Sequence, residues 1–514
     1  MDLSLPPLIH ALLEPDLYPD GAGPVQLVQT HGAWVLLAGD SAYKIKKPVQ
    51  LSFMDFSTLA LRRSACEAEL RVNRRFEDGH ALYLDVLPIV GRPDAPRWGR
   101  PGQDEAQAIE FAVHMRRFDE AGRLDHLCER GVLQAPHMLQ LAHRLAEVQQ
   151  RAAVAPQDSP WGQAETVRTV VQDNLDTLHD LLARQGDGKQ QRLQALQAWH
   201  AQQWPAVAPQ LDARRQAGRV REGHGDLHLA NLVLIDGQVL PFDAIEFNDA
   251  LRWVDVASDL AFTWMDLQRM GQPGLAHVLM SEWIDASGDV SAPGVLPFFA
   301  VYLALVRAKV AAIRGGQLEA GDLQGRHACA AETGAFLDLA WRLARPGAPQ
   351  LLITHGLSGC GKSHAALQWL LRHTGSRALR LRSDVERKRL HGLGPLQASD
   401  PAGQAGFYEP QASARTYASL RARAQALLQQ GWSVVVDAAF LRRDEREAFA
   451  ALAREQGCPF AILAPQAPVE VLRQRIEARQ QTGRDPSEAT PAVLERQQQW
   501  IEPLGADEPR APLQ

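Results

Sequence analysis

Cysteine is scarce in this chain: five residues in 514, at positions 66, 128, 329, 360 and 458, with no C-x-x-C pair and an odd total. That spacing excludes a disulfide framework and a zinc-finger type of site, and it predicts a reducing, cytoplasmic setting. The first residues, Met1-Asp-Leu-Ser-Leu-Pro-Pro, lack the basic and apolar regions of a secretory leader, and no run of about 18 uncharged apolar residues is present, so neither export nor a membrane span is expected. An excess of positive charge is missing too. Lys and Arg total 54 against 60 Asp and Glu, a net −6, which gives no overall pull toward nucleic acid or an anionic membrane. Neither the 39 Gly nor the 32 Pro signals collagen or wholesale disorder, whereas 46% hydrophobic and 22% charged residues are globular values. At about 100 to 200 residues per domain, this length predicts two or three domains.

Hydrophobic periodicity divides the chain. Residues 25 to 50 alternate as strands, broken at His31-Gly and Gly39-Asp; a helix is expected from about Ser57 to Arg75, then strands at Leu82–Ile89 and Ala108–Met115. Long amphipathic helices follow over 135–203 and 251–344, around a strand-like island at 218–247. Arg345-Pro-Gly-Ala-Pro-Gln350 is the linker candidate. Beyond it, strands at 351–354, 378–382, 433–437 and 459–463 alternate with helices, the βαβ pattern of a parallel sheet.

Gly356-Leu-Ser-Gly359-Cys-Gly361-Lys362-Ser363 fits G-x-x-x-x-G-K-S between an apolar strand and a helix, the context in which backbone N–H groups cradle phosphates. Lys362 can then reach the β and γ phosphates, and Ser363 can ligate magnesium. Asp437, ending Ser433-Val-Val-Val, is a second magnesium candidate or a turn cap. Asp384 and Arg387 are three residues apart, so one helical turn sets both over one crevice, as a base and a phosphate-holding guanidinium or as an ordinary local ion pair. With these residues, 350–510 resembles the small-molecule and polynucleotide kinase group of P-loop phosphotransferases, including gluconate kinase-like, zeta-toxin-like and polynucleotide kinase-like proteins. The resemblance implies that Asp384 is a general base and that a lid, here the arginine-rich segment from Arg473, brings Arg479 and Arg484 to the transferring phosphoryl group. A solvated helix face is the competing reading for either arginine.

His224-Gly-Asp226-Leu-His228-Leu-Ala-Asn231, then Asp243-Ala-Ile-Glu246, carries the residue types of a kinase site: an aspartate for the acceptor hydroxyl, and an asparagine and second aspartate for magnesium. The segment resembles the aminoglycoside phosphotransferase and choline kinase-like family. That resemblance implies that Asp255 and Asp259 brace the catalytic loop, and it extends weakly to the N-terminal lobe. There, Ala42-Tyr-Lys44 points to Lys44 rather than Lys46 as the phosphate-binding lysine, with Glu69 preferred to Glu67 as its partner. Thr30-His-Gly-Ala33 would cover the nucleotide without a G-x-G-x-x-G, and Glu110–Met115 would be the hinge at adenine. Glu246 is an addition to D-F-G, either a metal ligand or the partner of a nearby arginine.

The expected architecture is an α+β bilobal protein-kinase-like domain over 1–344, with lobes at about 1–118 and 119–344, a linker at 345–350, and an α/β P-loop domain with a parallel sheet over 351–514. The whole order resembles bacterial fusions of aminoglycoside phosphotransferase-like and P-loop kinase-like domains. It implies an ATP- and Mg2+-dependent kinase acting on a hydroxyl of a small molecule, a sugar-like one included. Two alternatives stand beside it: polynucleotide end phosphorylation by the C-terminal half, suggested by the basic run Arg377–Arg389, or one half serving as an ATP-sensing regulator of the other. The acidic balance and the lack of an aromatic-rich basic face argue against nucleic acid.

Overall fold

The computed structural model describes all residues except 1–4, 19–22, 52–53, 78, 80, 184–187, 320, 398–409, 483–485 and 514. The chain forms two compact units. One comprises residues 1–133, 148–166 and 212–263, and the other 134–147, 167–211 and 264–514.

In the first unit, the alternating residues of the N-terminal stretch make a six-stranded antiparallel sheet, ordered Gln26–Gln29, Ala33–Ala38, Ser41–Lys46, Ala108–Arg116, Tyr83–Arg92, Ala95–Trp98. Leu36, Ile45, Ile89 and Ala112 point to one buried face with Tyr18 and Tyr43. The opposite face meets the helix Leu59–Arg74, whose start is capped by the Thr58 hydroxyl, which accepts from Leu61 N at 3.2 Å. Glu110–Met115 lies inside the strand Ala108–Arg116, between two partner strands, with Phe111, Ala112 and Val113 buried. The expected hinge is therefore a sheet interior, because its backbone groups are committed to the ladder. The island at 218–247 resolves into the short strand Val220–Glu222, a loop, and the hairpin Leu232–Ile235 with Gln238–Pro241.

In the second unit, a parallel sheet runs Arg377–Arg382, Trp432–Asp437, Leu351–Thr354, Phe460–Leu463. Its central strands are apolar throughout, as burial on both faces demands. The helices Pro273–Ser287, Leu296–Gln317 and Leu323–Ala344 belong to the same unit as this sheet, so the Arg345–Gln350 segment lies inside a unit rather than between two. Pro273–Ser287 packs on the edge strand: Ser281 Oγ accepts the Arg380 N–H at 3.1 Å, and Glu282 pairs with the Arg380 guanidinium in a buried position. Trp432 Nε1 donates to the Pro293 carbonyl at 3.2 Å. Leu296–Gln317 is the one described helix long and apolar enough to cross a membrane, with a mean hydropathy of 1.8; 67% of that stretch is buried inside the protein.

Candidate active sites

The first site gathers around the strand Ser41–Lys46. Side chains alternate along a strand, so Lys44 and Lys46 share a face, the one toward the helix Leu59–Arg74. Glu69 on that helix is fully buried and gives one carboxylate oxygen to each: Oε1 to Lys44 at 2.8 Å and Oε2 to Lys46. Glu67 points outward and pairs with Arg63 at 2.8 Å. Lys44 also bonds Asp243, and Lys46 bonds Glu246. Glu246 thus meets a lysine, neither of the roles that the sequence suggested. Burial alone would lower the Lys44 ammonium, but Asp243 and Glu69 hold it well above its ordinary value. Burial likewise pushes Asp243 up, and Lys44 overrides it, leaving that carboxyl at about 2.

Asp243 has a left-handed backbone, φ 60°, unusual for a residue with a side chain. Two bonds hold it: its N–H donates to Tyr83 Oη at 2.9 Å, and the next N–H, of Ala244, donates to Asn73 Oδ1 at 2.9 Å. The catalytic-type loop is tied to the same place. Asn231 Nδ2 donates to the Asp226 carbonyl at 2.9 Å and to Asp226 Oδ2 at 3.2 Å, and His228 Nε2 lies 3.3 Å from Asp226 Oδ2. His224 is buried. Its Nδ1 accepts the Asp226 N–H at 3.3 Å and its Nε2 faces the Phe242 carbonyl at 2.9 Å, so these partners assign the proton to Nε2. Burial lowers this imidazole to about 4, and it stays neutral. It links the loop of Asp226 to the residue before Asp243.

Asp259 braces the loop from below, accepting the N–H groups of His224 at 2.7 Å and Gly225 at 2.8 Å. Burial raises its carboxyl to about 6 against those donors. A Cβ at Gly223 would sit 2.3 Å from Asp259 Oδ2, so only glycine lets the carboxylate approach. Asp255 does a different job from Asp259: it takes Arg214 in a two-pronged pair at 2.8 and 2.7 Å and accepts the Ala257 N–H at the start of Val256–Arg269. Sequence reasoning missed Glu222. It holds Arg71 at 2.8 Å, Arg75 at 3.1 Å and Arg252 at 3.0 Å, and these guanidiniums, working against burial, keep its carboxyl at about 2. These pairs tie the helix bearing Glu69 to the strand that leads into the catalytic-type loop.

The second site is a cleft of about 1620 Å³ in the C-terminal unit, lined by Ser358–Ser363 and by Asp384, Arg387, Asp437 and Arg479. Gly356, Gly359 and Gly361 all have positive φ, which lets the loop wrap before the helix Lys362–Arg372 begins. Gly356 itself sits at the strand end, its N–H on the Ala439 carbonyl at 3.0 Å. Lys362 Nζ folds back onto the Leu357 carbonyl at 2.8 Å. Asp384 lies in the first turn of the helix Ser383–Leu390, directly after the strand Arg377–Arg382, and Arg387 Nη1 reaches it at 3.0 Å. Burial raises the Asp384 carboxyl, but Arg387 and its other partners bring it below its ordinary value. Arg479 is on the helix Val469–Thr482, which, with Pro491–Trp500, packs against the loop: Leu472, Ile476 and Leu494 cover Cys360, and Gln497 Oε1 accepts the Ser358 N–H at 2.8 Å. Arg484 lies outside the described residues.

Both sites offer magnesium the hard oxygen donors that it prefers, one or two carboxylates to be completed by phosphate and water. Asp243 and Asn231 could serve as such donors in the first, Asp437 and Ser363 in the second. Among the described residues, no group of three or more His, Cys, Asp or Glu is placed to hold a metal ion by itself.

Over 479 residues the chain is 27% identical to an uncharacterized protein of Mycobacterium tuberculosis, covering 93% of this chain and 91% of the relative; a Mycobacterium bovis protein matches equally. A choline/ethanolamine kinase family protein from Mesorhizobium loti aligns over 65% of this chain and 99% of its own, at 13% identity and a TM-score of 0.36. A chain of the Pnkp1/Rnl/Hen1 RNA repair complex aligns over 29% of this chain at 20% identity and a TM-score of 0.24, and the alignment spans 43% of that chain, less than half. Residues 351–504 match the family model of an AAA domain, the part of the chain that carries the glycine-rich loop Gly356–Ser363.

Proposed function

We propose that this protein is an ATP- and Mg2+-dependent phosphotransferase with two kinase-type sites, one built from residues within 1–344 and one from residues within 351–514, acting on a hydroxyl of a small molecule. One observation carries the reading most: Lys44 is bonded to both Glu69 and Asp243, while Asp226 and Asn231 are bonded to each other in a loop that His224 ties to the residue before Asp243. Phosphoryl transfer asks mainly for positioning and charge neutralisation. In the first module Lys44 would hold phosphate, Asp226 would accept the acceptor's proton, and Asn231 and Asp243 would hold magnesium, which supplies charge neutralisation at the phosphates. In the second, Lys362 and Arg479 would meet phosphate, Asp384 would serve as base with Arg387 beside it, and Ser363 and Asp437 would face the metal. Arg484 belongs to the same proposal by position in the sequence.

Polynucleotide end phosphorylation is less well supported. Within the basic run, Arg380, Arg387, Lys388 and Arg389 are each paired with a carboxylate, Glu282, Asp384, Glu488 and Glu386 respectively, and so are poorly placed to meet a phosphate backbone. The test uses the full chain, Mg-ATP and a metabolite library, with products read by mass. Asp226→Ala and Lys362→Ala should each remove a different set of phosphorylated products, each by about a hundredfold or more. If one substitution abolishes every product and the other changes only the response to ATP, the regulator reading replaces this one. No ATP consumption in any mixture refutes both.

A further inference from the structure

In the first site, five charged side chains alternate in one bonded series: Asp243, Lys44, Glu69, Lys46, Glu246. The kinase reading uses the first three. Lys46 and Glu246 are extra, with side chains only 2% and 5% exposed, and Lys46 lies 5.4 Å from the Phe56 ring centroid, where Phe56 packs with Met54, Ala65 and Phe247. Two more charges in a dry place are expensive unless each finds a partner, and here each does. Glu69 has only two oxygens. Lys46 occupies the second, so whatever governs Lys46 governs how firmly Glu69 holds Lys44.

We propose that Lys46 and Glu246 are positioning residues: Glu246 holds Lys46, which sets how Glu69 divides itself between two ammonium groups, and so fixes Lys44 for the nucleotide phosphates. This rests on the phosphotransferase reading for its purpose, but the arrangement of charge is testable without it. Removing the charge of Glu246 leaves Lys46 balanced by Glu69 alone. Glu69 is drawn toward Lys46, Lys44 loses a partner and leans on Asp243. Removing Lys46 as well gives Glu69 back to Lys44. The two substitutions therefore oppose each other, which two independent losses of packing would not do.

The experiment uses the full chain carrying Lys362→Ala, so that nucleotide binding reports on the first site, and compares it with Glu246→Gln and with Glu246→Gln plus Lys46→Met. Glu246→Gln should weaken Mg-ATP binding, measured by calorimetry, about tenfold, and the added Lys46→Met should recover most of it. Acylation of Lys44 by a small amine-reactive ester, followed by peptide mass spectrometry in the absence of nucleotide, should speed up in Glu246→Gln and slow again in the double variant. If the folded double variant is no better than Glu246→Gln in either measurement, or Lys44 labelling is unchanged throughout, the proposal falls. If the parent chain binds no Mg-ATP, the phosphotransferase reading of this site falls instead, and the labelling alone decides the proposal. Should Glu246→Gln fail to fold, Glu246→Asp replaces it, with the same direction and a smaller effect.

Discussion

Replacing Glu282 by alanine tests whether the helix Pro273–Ser287 is part of the P-loop unit's stability. Arg380 on the edge strand is buried, and Glu282 is the one carboxylate that its side chain hydrogen-bonds among the described residues; its Nε has no partner there. Removing one member of a buried pair leaves the other charge desolvated and uncompensated, a loss of about 3–5 kcal/mol. Against a typical total of about 5–15 kcal/mol that is a large share. The Arg380 N–H, bonded to Ser281 Oγ, gives a local reporter. Hydrogen exchange over Arg377–Arg382 should accelerate in Glu282→Ala, and the urea midpoint of the transition that reports on this unit should fall. Replacing both partners by apolar residues, Glu282→Leu with Arg380→Met, should return stability to within about 1 kcal/mol of the parent, since no charge is then stranded. A Glu282→Ala midpoint unchanged within error, with exchange at the strand unaltered, would refute the reasoning and leave 351–514 as a self-contained module.

Two further outcomes follow from the same kind of bookkeeping. Gly223→Ala places a methyl group 2.3 Å from Asp259 Oδ2 without straining φ, so the carboxylate must leave the His224 and Gly225 N–H groups; Asp226-dependent product formation should fall about tenfold or more while the Lys362-dependent products are unaffected, and equal loss of both would contradict the assignment. Asp285 is buried with Oδ2 unpartnered among the described residues, and burial raises its carboxyl from 3.8 to about 7 despite Arg382. An acid that binds its proton more tightly folded than unfolded loses stability as pH rises across that interval. Asp285→Asn should therefore gain on the parent in urea midpoint between pH 5 and pH 8; a constant difference across that range would sink the assignment.

Much of the architecture is legible in the sequence because strand alternation and P-loop glycines are local signals. The four parallel strands fall within a residue of their expected limits, and Lys44 and Glu69, which the family resemblance pairs, do meet, although Glu69 holds Lys46 as well. What escaped is what only three-dimensional pairing decides. Nothing in the run Asp243-Ala-Ile-Glu says that Glu246 turns back to Lys46, 200 residues earlier. Glu222 looks like any strand-end carboxylate until Arg71, Arg75 and Arg252 converge on it. Glu110–Met115 is a hinge by the family resemblance and part of a strand by its own pattern, and the strand reading holds because a partner on each side takes the backbone hydrogen bonds.

The linker shows why punctuation and packing answer different questions. Pro346 and Pro349 with Gly347 mark a place where regular structure stops, which says how the backbone runs. Compactness depends instead on which apolar and charged faces find each other. Pro273–Ser287 is buried along nearly its whole length, with twelve buried residues, and three of its polar ones, Ser281, Glu282 and Asp285, are set toward the arginines and backbone of a strand about a hundred residues later. A helix that buries carboxylates does so only where cations wait for them. The sequence before the linker therefore carries half of a charge pattern whose other half follows it, and a cut at 345 would separate Glu282 from Arg380 while leaving every motif intact.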